Sequence, residues 1–270
     1  MNILDQIVKD KLGEVADKKS LVPVKMLEQS TYFEGAPISM SKYIRRADKS
    51  GIIAEIKRKS PSKGMINQFV DVEKTSIGYM QAGASGLSIL TDTKYFGGKN
   101  EDLSKARDFN FCPILRKDFI VDEYQILEAK SIGADTILLI AATLKPDQIK
   151  TFGALAQSLG MEVLLEVHNQ EELQNSICEQ IDLLGVNNRD LKTFVTDIEV
   201  SKQLAMQIPD DFVKVSESGI SSPETIAELT DHGFEGFLIG ENFMKTSNPG
   251  KSAGRFIEDL RTLTNKKVKS

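Results

Sequence analysis

Tryptophan is absent from the 270 residues, and cysteine and histidine occur only twice each. Cys112 and Cys178 are too few for a disulfide framework and lack the CxxC spacing that zinc requires, so both are read as buried thiols in a reducing compartment. His168 and His232 have no third or fourth ligand at metal spacing, and no metal is expected. A basic excess is missing as well: 34 Lys+Arg stand against 39 Asp+Glu, a net charge of −5 with a pI near 5.3. That balance argues against nucleic acid or an anionic membrane as the main partner, so an anionic ligand needs a local basic cluster. No apolar run approaches the ~18 residues of a membrane span. The opening MNILDQIVKDK puts acids and lysines where a signal peptide needs an unbroken apolar core. A cytoplasmic protein is expected.

What is present is core-forming material, with 40% hydrophobic residues. A chain of this length buries roughly 75% of its unfolded surface. Ile3, Leu4, Ile7, Val8, Leu12 and Val15 recur at helical spacing over residues 1 to 18, which predicts an amphipathic helix in need of a surface. Pro23, Gly35 and Pro37 then break the chain, and a short helical turn over 40–47 leads to Gly51. From there, apolar runs at 52–57, 86–90, 113–116, 136–141, 162–166, 183–187, 212–215 and 236–239 alternate with amphipathic segments. Those segments lie at 72–82, 100–108, 123–132, 146–159, 170–178, 197–207, 223–231 and 252–263. Eight apolar strands, each followed by a helix, predict a parallel sheet covered by helices. An open sheet binding a dinucleotide would carry G-x-G-x-x-G after its first strand, and none is there. The fold class expected is therefore α/β, a closed (β/α)8 TIM barrel forming one domain over 1–270, with residues 1–50 as an N-terminal helical extension. Ser222-Pro223 and Lys145-Pro146 read as helix starts.

In such a barrel, chemistry belongs at the C-terminal ends of the strands. The stretch GIIAEIKRKSPSKG (51–64) places Glu55 and Lys57 on one face of its strand and Ala54, Ile56 and Arg58 on the other. Alone, that reads as an ordinary surface ion pair. Lys117, Glu166, Asn187, Ser218 and Gly240 fall at the ends of other strands, so charges from distant positions converge on one mouth. Glu166 could also pair with His168, two residues on. Glycines in SESGI (216–220) and LIGEN (238–242) follow the last two strands, where backbone N–H groups and helix N-termini commonly hold a phosphate.

At these residues the sequence resembles the indole-3-glycerol phosphate synthase family. The matching blocks, in order, are AEIKRKSPSKG (54–64), SILTDTKYFGG (88–98), PILRKDFIVDEYQILEAKSIGADTILLIAA (113–142), LLEVH (164–168), GVNNRDLKTF (185–194), SESGI (216–220) and LIGENFM (238–244). The resemblance implies ring closure, decarboxylation and dehydration of 1-(2-carboxyphenylamino)-1-deoxyribulose 5-phosphate, without a cofactor, by a monomer whose partner is this anionic sugar phosphate. It implies Lys117 as general acid, Lys57 as holder of the anthranilate carboxylate, and Glu166 as general base. Glu55, Asn187 and Ser218 complete the catalytic set. Ser60, Gly219, Gly240 and the N–H of Glu241 are implied to bind phosphate, and Arg189 and Phe119 to bind substrate.

Further expectations accompany it. Two lysines at one mouth should lower each other's pKa, with Glu55 opposing this at Lys57, so Lys117 is expected to be tuned downward. The side chain of Glu241 should turn away from the phosphate, and Asn242 stands where a small residue is common. The loop 59–64 is a candidate cover, and the N-terminal helix should lie near the mouth. The chain runs out soon after Gly240, from which a single-function version is expected. The alternatives are another phosphate-binding barrel enzyme, such as a sugar-phosphate isomerase or the α subunit of tryptophan synthase, or a non-catalytic sugar-phosphate sensor.

Overall fold

Strands this short and this apolar cannot face water on either side, and the chain hides both faces by closing the sheet and wrapping it in helices. The computed structural model describes residues 3–190 and 193–267. The strands β1 (Ile52–Ile56), β2 (Gly86–Leu90), β3 (Ile114–Lys117), β4 (Thr136–Ile140), β5 (Glu162–Val167), β6 (Leu183–Asn187), β7 (Val213–Glu217) and β8 (Gly236–Ile239) form a closed barrel. Each pairs in parallel with its sequence neighbours, and β1 closes on β8 with Ala54 opposite Ile239. Ahead of the barrel come α1 (Ile3–Leu21), α2 (Val24–Leu27) and α3 (Met40–Ile44). Around it run α4 (Val72–Ala82), α5 (Thr93–Phe96), α6 (Asn100–Phe109), α7 (Glu123–Ser131), α8 (Pro146–Ser158), α9 (Gln170–Ser176), α10 (Glu199–Ala205), α11 (Pro223–Asp231), α12 (Glu241–Met244) and α13 (Pro249–Lys267).

The helix starts obey local chemistry. Ser222 accepts the N–H of Thr225 with Pro223 in the first turn of α11, and Pro146 opens α8 after Lys145. Boundaries shift where tertiary pairing overrides local pattern. The ladder carries β7 past Val215 to Glu217 and β3 past Arg116 to Lys117, so both ionisable groups sit on strands. α9 stops at Ser176, which leaves Cys178 half-buried rather than in the core; Cys112 is buried.

Strand alternation produces two cores. Ile53, Leu115, Leu138, Leu164, Leu183, Val213, Val215 and Leu238 fill the barrel interior with Met40 and Ile44. Ile52, Ala54, Ile56, Leu87, Ile89, Ile137, Leu139 and Val163 pack outward under the helices. α3 plugs the N-terminal end. A Cβ on Gly86 would lie 2.5 Å from Met40 Sδ, and one on Gly236 would lie 3.2 Å from Ile44 Cδ1, so the first residues of β2 and β8 have to be small.

Charge anchors the other end. Lys11 of α1 is 2% exposed, with Nζ 2.9 Å from Asp92 Oδ2, 3.1 Å from Asp118 Oδ1 and 2.8 Å from Glu14 Oε2. Asp118 Oδ2 is 3.2 Å from Nη2 of Arg116, a residue with no exposed surface. Nη2 also meets Glu128 Oε2 at 2.5 Å, Nη1 donates to the carbonyl of Gln125 at 2.8 Å, and Nε donates to Thr91 Oγ1 at 3.1 Å. Alternation explains the placing: Lys117 points into the barrel and Arg116, its neighbour, points out beneath α7.

Candidate active site

A cavity of about 570 Å³ opens at the C-terminal ends of the strands. Glu55, Lys57, Lys117, Glu166, Asn187 and Glu217 form its polar floor, while Ile3, Leu4 and Ile7 of α1 join Phe96, Phe119, Leu138 and Ile140 as its apolar wall. The N-terminal helix thus lies at the mouth, as expected. Phe119 stacks at a tilt on Phe96, with ring centroids 5.9 Å apart.

Two lysine–carboxylate groups meet on the floor. Just beyond the end of β1, Lys57 Nζ lies 2.6 Å from Oε1 of Glu55 on that strand. On β3, Lys117 Nζ lies 2.8 Å from Glu166 Oε2 and 2.5 Å from Glu217 Oε2. Burial alone would favour a neutral Lys117, but the fields of Glu166, Glu217 and Glu55 outweigh it and hold the ammonium well above the ordinary lysine range. This reverses the expected downward tuning. Three carboxylates, and not a second lysine, dominate its surroundings.

Glu217 is absent from the residues read off the sequence. Ending the strand at Val215 had placed it in a loop, whereas the alternation Val213, Val215, Glu217 carries it inward. Burial pushes its carboxyl up to about 7; Lys117 works against that, and Glu166 and Glu55 add to it. Its Oε1 is buried without a hydrogen-bond partner. Burial would raise Glu166 too, but Lys117 and then His168 hold it low, with Asn187 contributing a hydrogen bond. One ammonium between two carboxylates thus drives the pair apart, one held low and the other held high.

The raised Glu217 has a pH consequence. Its folded-state value exceeds the ordinary 4.5, so the folded chain binds the extra proton between about 4.5 and about 7. Stability from this group is complete below that window and is lost as pH rises through it. Glu217→Gln should therefore remove a decline in urea midpoint between about pH 5 and pH 8; an unchanged decline would place its origin elsewhere.

Two glycines make room for these acids. A Cβ on Gly185 would lie 2.4 Å from Glu217 Oε1, and one on Gly240 would lie 2.5 Å from Glu55 Oε1. Gly240, expected only as a phosphate contact, is thus also required by Glu55. Gly219 has φ +77°, and its Cβ would meet Thr196 Cγ2 at 2.6 Å. Ser218, beside it, holds φ +69°, a left-handed conformation rare for serine, and its carbonyl accepts from Asn188 Nδ2 at 3.1 Å. Strain of that kind concentrates at functional loops.

Ser60, Ser62, Lys63, Arg189, Gly219, Glu241 and Lys245 line the rim. Arg189 Nη1 donates to Ser62 Oγ at 3.1 Å. The side chain of Glu241 lies between Lys63 Nζ, at 3.5 Å, and Arg189 Nη2, at 3.6 Å. Both ion pairs are long and partly exposed, and hold the side chains loosely. Lys63 and Lys245 escaped the sequence reading, because a loop lysine carries no periodicity to aim it. Asn242 Nδ2 donates to the carbonyl of Ser221 at 3.2 Å, tying the β8 loop to the β7 loop. Arg58 faces away from the cavity, as expected, binding Asp102 and the carbonyl of Gly97. The loop after it folds back as a small hairpin, Lys59–Ser60 against Gly64–Met65. Leu191 and Lys192 of the GVNNRDLKTF block lie outside the described residues.

A family model described as indole-3-glycerol phosphate synthase matches residues 4–256. Indole-3-glycerol phosphate synthase of Bacteroides thetaiotaomicron is 48% identical over 260 residues, covering 96% of this chain and 99% of its own length. The protein of that name from Caldanaerobacter subterraneus subsp. tengcongensis is 42% identical over 244 residues, covering 90% and 93%. A solved structure described as native KDPGal superposes with a TM-score of 0.56 at 13% identity, over 81% of this chain and 96% of the other, a likeness that bears on fold alone.

Proposed function

The chain belongs to the indole-3-glycerol phosphate synthase family, and from that premise we propose how its own side chains convert 1-(2-carboxyphenylamino)-1-deoxyribulose 5-phosphate into indole-3-glycerol phosphate, carbon dioxide and water. The phosphate sits at the rim, on Ser60, the backbone of Gly219, Gly240 and Glu241, and the Arg189 cation. Remote binding of this kind fixes the reacting end without touching it. The anthranilate ring lies along the apolar wall, which includes Phe119, and its carboxylate pairs with Lys57, itself held by Glu55. The ring carbon bearing that carboxylate then faces the sugar ketone.

Attack on the ketone turns its oxygen into an alkoxide. Lys117 holds its proton firmly and yields it only to a base as strong as that alkoxide, so the proton moves as the carbon–carbon bond forms. Carbon dioxide leaves and restores the ring electrons. Loss of the hydroxyl as water then needs a proton donor and removal of a ring-adjacent proton. Glu166, ionised and held on its strand, takes that proton. Asn187 and Ser218 orient the sugar hydroxyls, and Glu217, carrying a proton near neutrality, reprotonates Lys117, whose ammonium then protonates the departing hydroxyl as its carbon–oxygen bond breaks. The observation that carries this reading is the ammonium of Lys117 held at 2.8 and 2.5 Å by two carboxylates on the floor of the cavity. A sugar-phosphate sensor would need only the rim.

The proposal extends to a monomeric, cytoplasmic enzyme made of a single barrel domain with residues 1–50 as its extension. Relatives matched over nearly their whole length support the single barrel domain, and among the described residues no helix is long and apolar enough to cross a membrane. The test is direct. With no tryptophan in the chain, incubation with the substrate should produce indole fluorescence over a tyrosine background. Substrate that stays intact in the presence of the protein overturns the reading.

A further inference from the structure

One buried ionisable group next to the floor of the cavity has no part in the steps above. His168, at the end of β5, has a side chain only 10% exposed and does not line the cavity. Its ring is fixed from behind by α9: Nδ1 lies 3.0 Å from Glu172 Oε2, and the same oxygen accepts the His168 backbone N–H at 2.8 Å. Glu172 is itself steadied by Asn169 Nδ2 at 2.9 Å. The other ring nitrogen, Nε2, is buried without a hydrogen bond and lies 3.4 Å from Glu166 Oε1. The Glu166 oxygen on the far side, Oε2, is the one that meets Lys117.

We infer that His168 is a positioning residue for Glu166: clamped by Glu172, its protonated ring faces Oε1, holds Glu166 as a carboxylate, and keeps Oε2 turned toward Lys117 and the reacting atoms. A neutral ring donating through Nδ1 to Glu172 would present a bare nitrogen lone pair to a carboxylate oxygen, which is repulsive. A charged ring makes both contacts attractive. The ionisable groups facing the ring are Glu166 from its own strand, Glu172 from α9 and Glu217 from β7. All three are acids, and together they outweigh burial and hold the ring above its ordinary value. Glu166 and His168, two residues apart, are thus placed on one face by strand alternation and joined at the strand end, where the chain turns into α9.

The inference rests on the assignment of Glu166 as base, and the test separates the two. Only two histidines are present, so ring NMR signals of the free protein assign readily by comparison with a substitution of the exposed one, His232→Gln. The His168 ring should titrate above the ordinary 6.5, and Glu166→Gln should lower that midpoint. In His168→Gln, which keeps a donor but no charge, the acid limb of the kcat/KM profile should rise by about one unit. Its kcat should fall on the order of tenfold through misorientation of Glu166, with KM unchanged. If the ring titrates identically with and without Glu166 and the acid limb stays in place, the inference is overturned while the base assignment stands. If Glu166→Gln keeps full turnover, the base assignment fails and takes the inference with it. The NMR comparison does not depend on activity, so a poorly folding His168→Gln chain would still leave a decisive measurement.

Discussion

Lys117→Ala should lower turnover by about 10²–10⁴-fold, the range for loss of a general acid, while substrate binding stays within a few-fold. The separation follows from the geometry. Phosphate and carboxylate are held by the rim and by Lys57, whereas Lys117 contacts only the site of charge development. Removing the ammonium also leaves Glu166 and Glu217 facing each other across the space it filled, and like charges that close share a proton. The acid limb of the remaining activity should therefore move to higher pH. Lys117→Arg should not rescue turnover, because the planar fork of a guanidinium does not fit a slot built for one nitrogen. Single-turnover measurement of indole formation separates binding from chemistry. Turnover close to that of the parent chain in Lys117→Ala would sink the assignment.

Arg116→Met should destabilise the fold by about 3–5 kcal/mol, the cost of breaking a buried ion pair from one side. That corresponds to a fall in Tm on the order of 10 °C for a chain of this size. Arg116 has no exposed surface, and its guanidinium is the common partner of Asp118 and Glu128. Burial pushes both acids up, while Arg116, then Lys11 at Asp118 and Lys18 at Glu128, pull them below their ordinary values. Their contribution is present above the ordinary carboxylate range and is lost as pH falls through their depressed folded-state values, so the penalty of the substitution should shrink toward acid pH. Asp118 follows Lys117 and also anchors Lys11 of α1, so Arg116→Met should disturb the cavity from behind as well. Urea unfolding at neutral and acid pH measures all of this. A cost below about 1 kcal/mol would mean that the acids find other partners or protonate freely.

Much of the molecule was legible without coordinates, and the reasons are local. The strand Leu183–Asn187 and the helices Val72–Ala82 and Pro223–Asp231 agree residue for residue with the pattern, because an apolar run or a helical repeat is a short-range signal. Gathering Glu55, Lys57, Lys117, Glu166 and Asn187 into one mouth needed only the rule that a parallel barrel puts its strand ends together. Glu217 was missed because one strand end was drawn two residues short, and in a strand two residues decide whether a side chain lies in a loop or in the barrel.

The sequence by itself determined the alternation of strands and helices, the closed barrel, and the set of acids and bases at its mouth, since each is written in periodicity, turn residues and order along the chain. Only the tertiary structure decided the electrostatics. Whether Lys117 is tuned down by a lysine or held up by three carboxylates depends on distances of a few ångströms between residues up to 100 positions apart. The same holds for the burial of Lys11, for α3 as the floor of the barrel, and for Gly185 and Gly240 as the space in which Glu217 and Glu55 fit. Coulomb energy and packing act through space, and no local pattern encodes how closely distant parts of the chain approach.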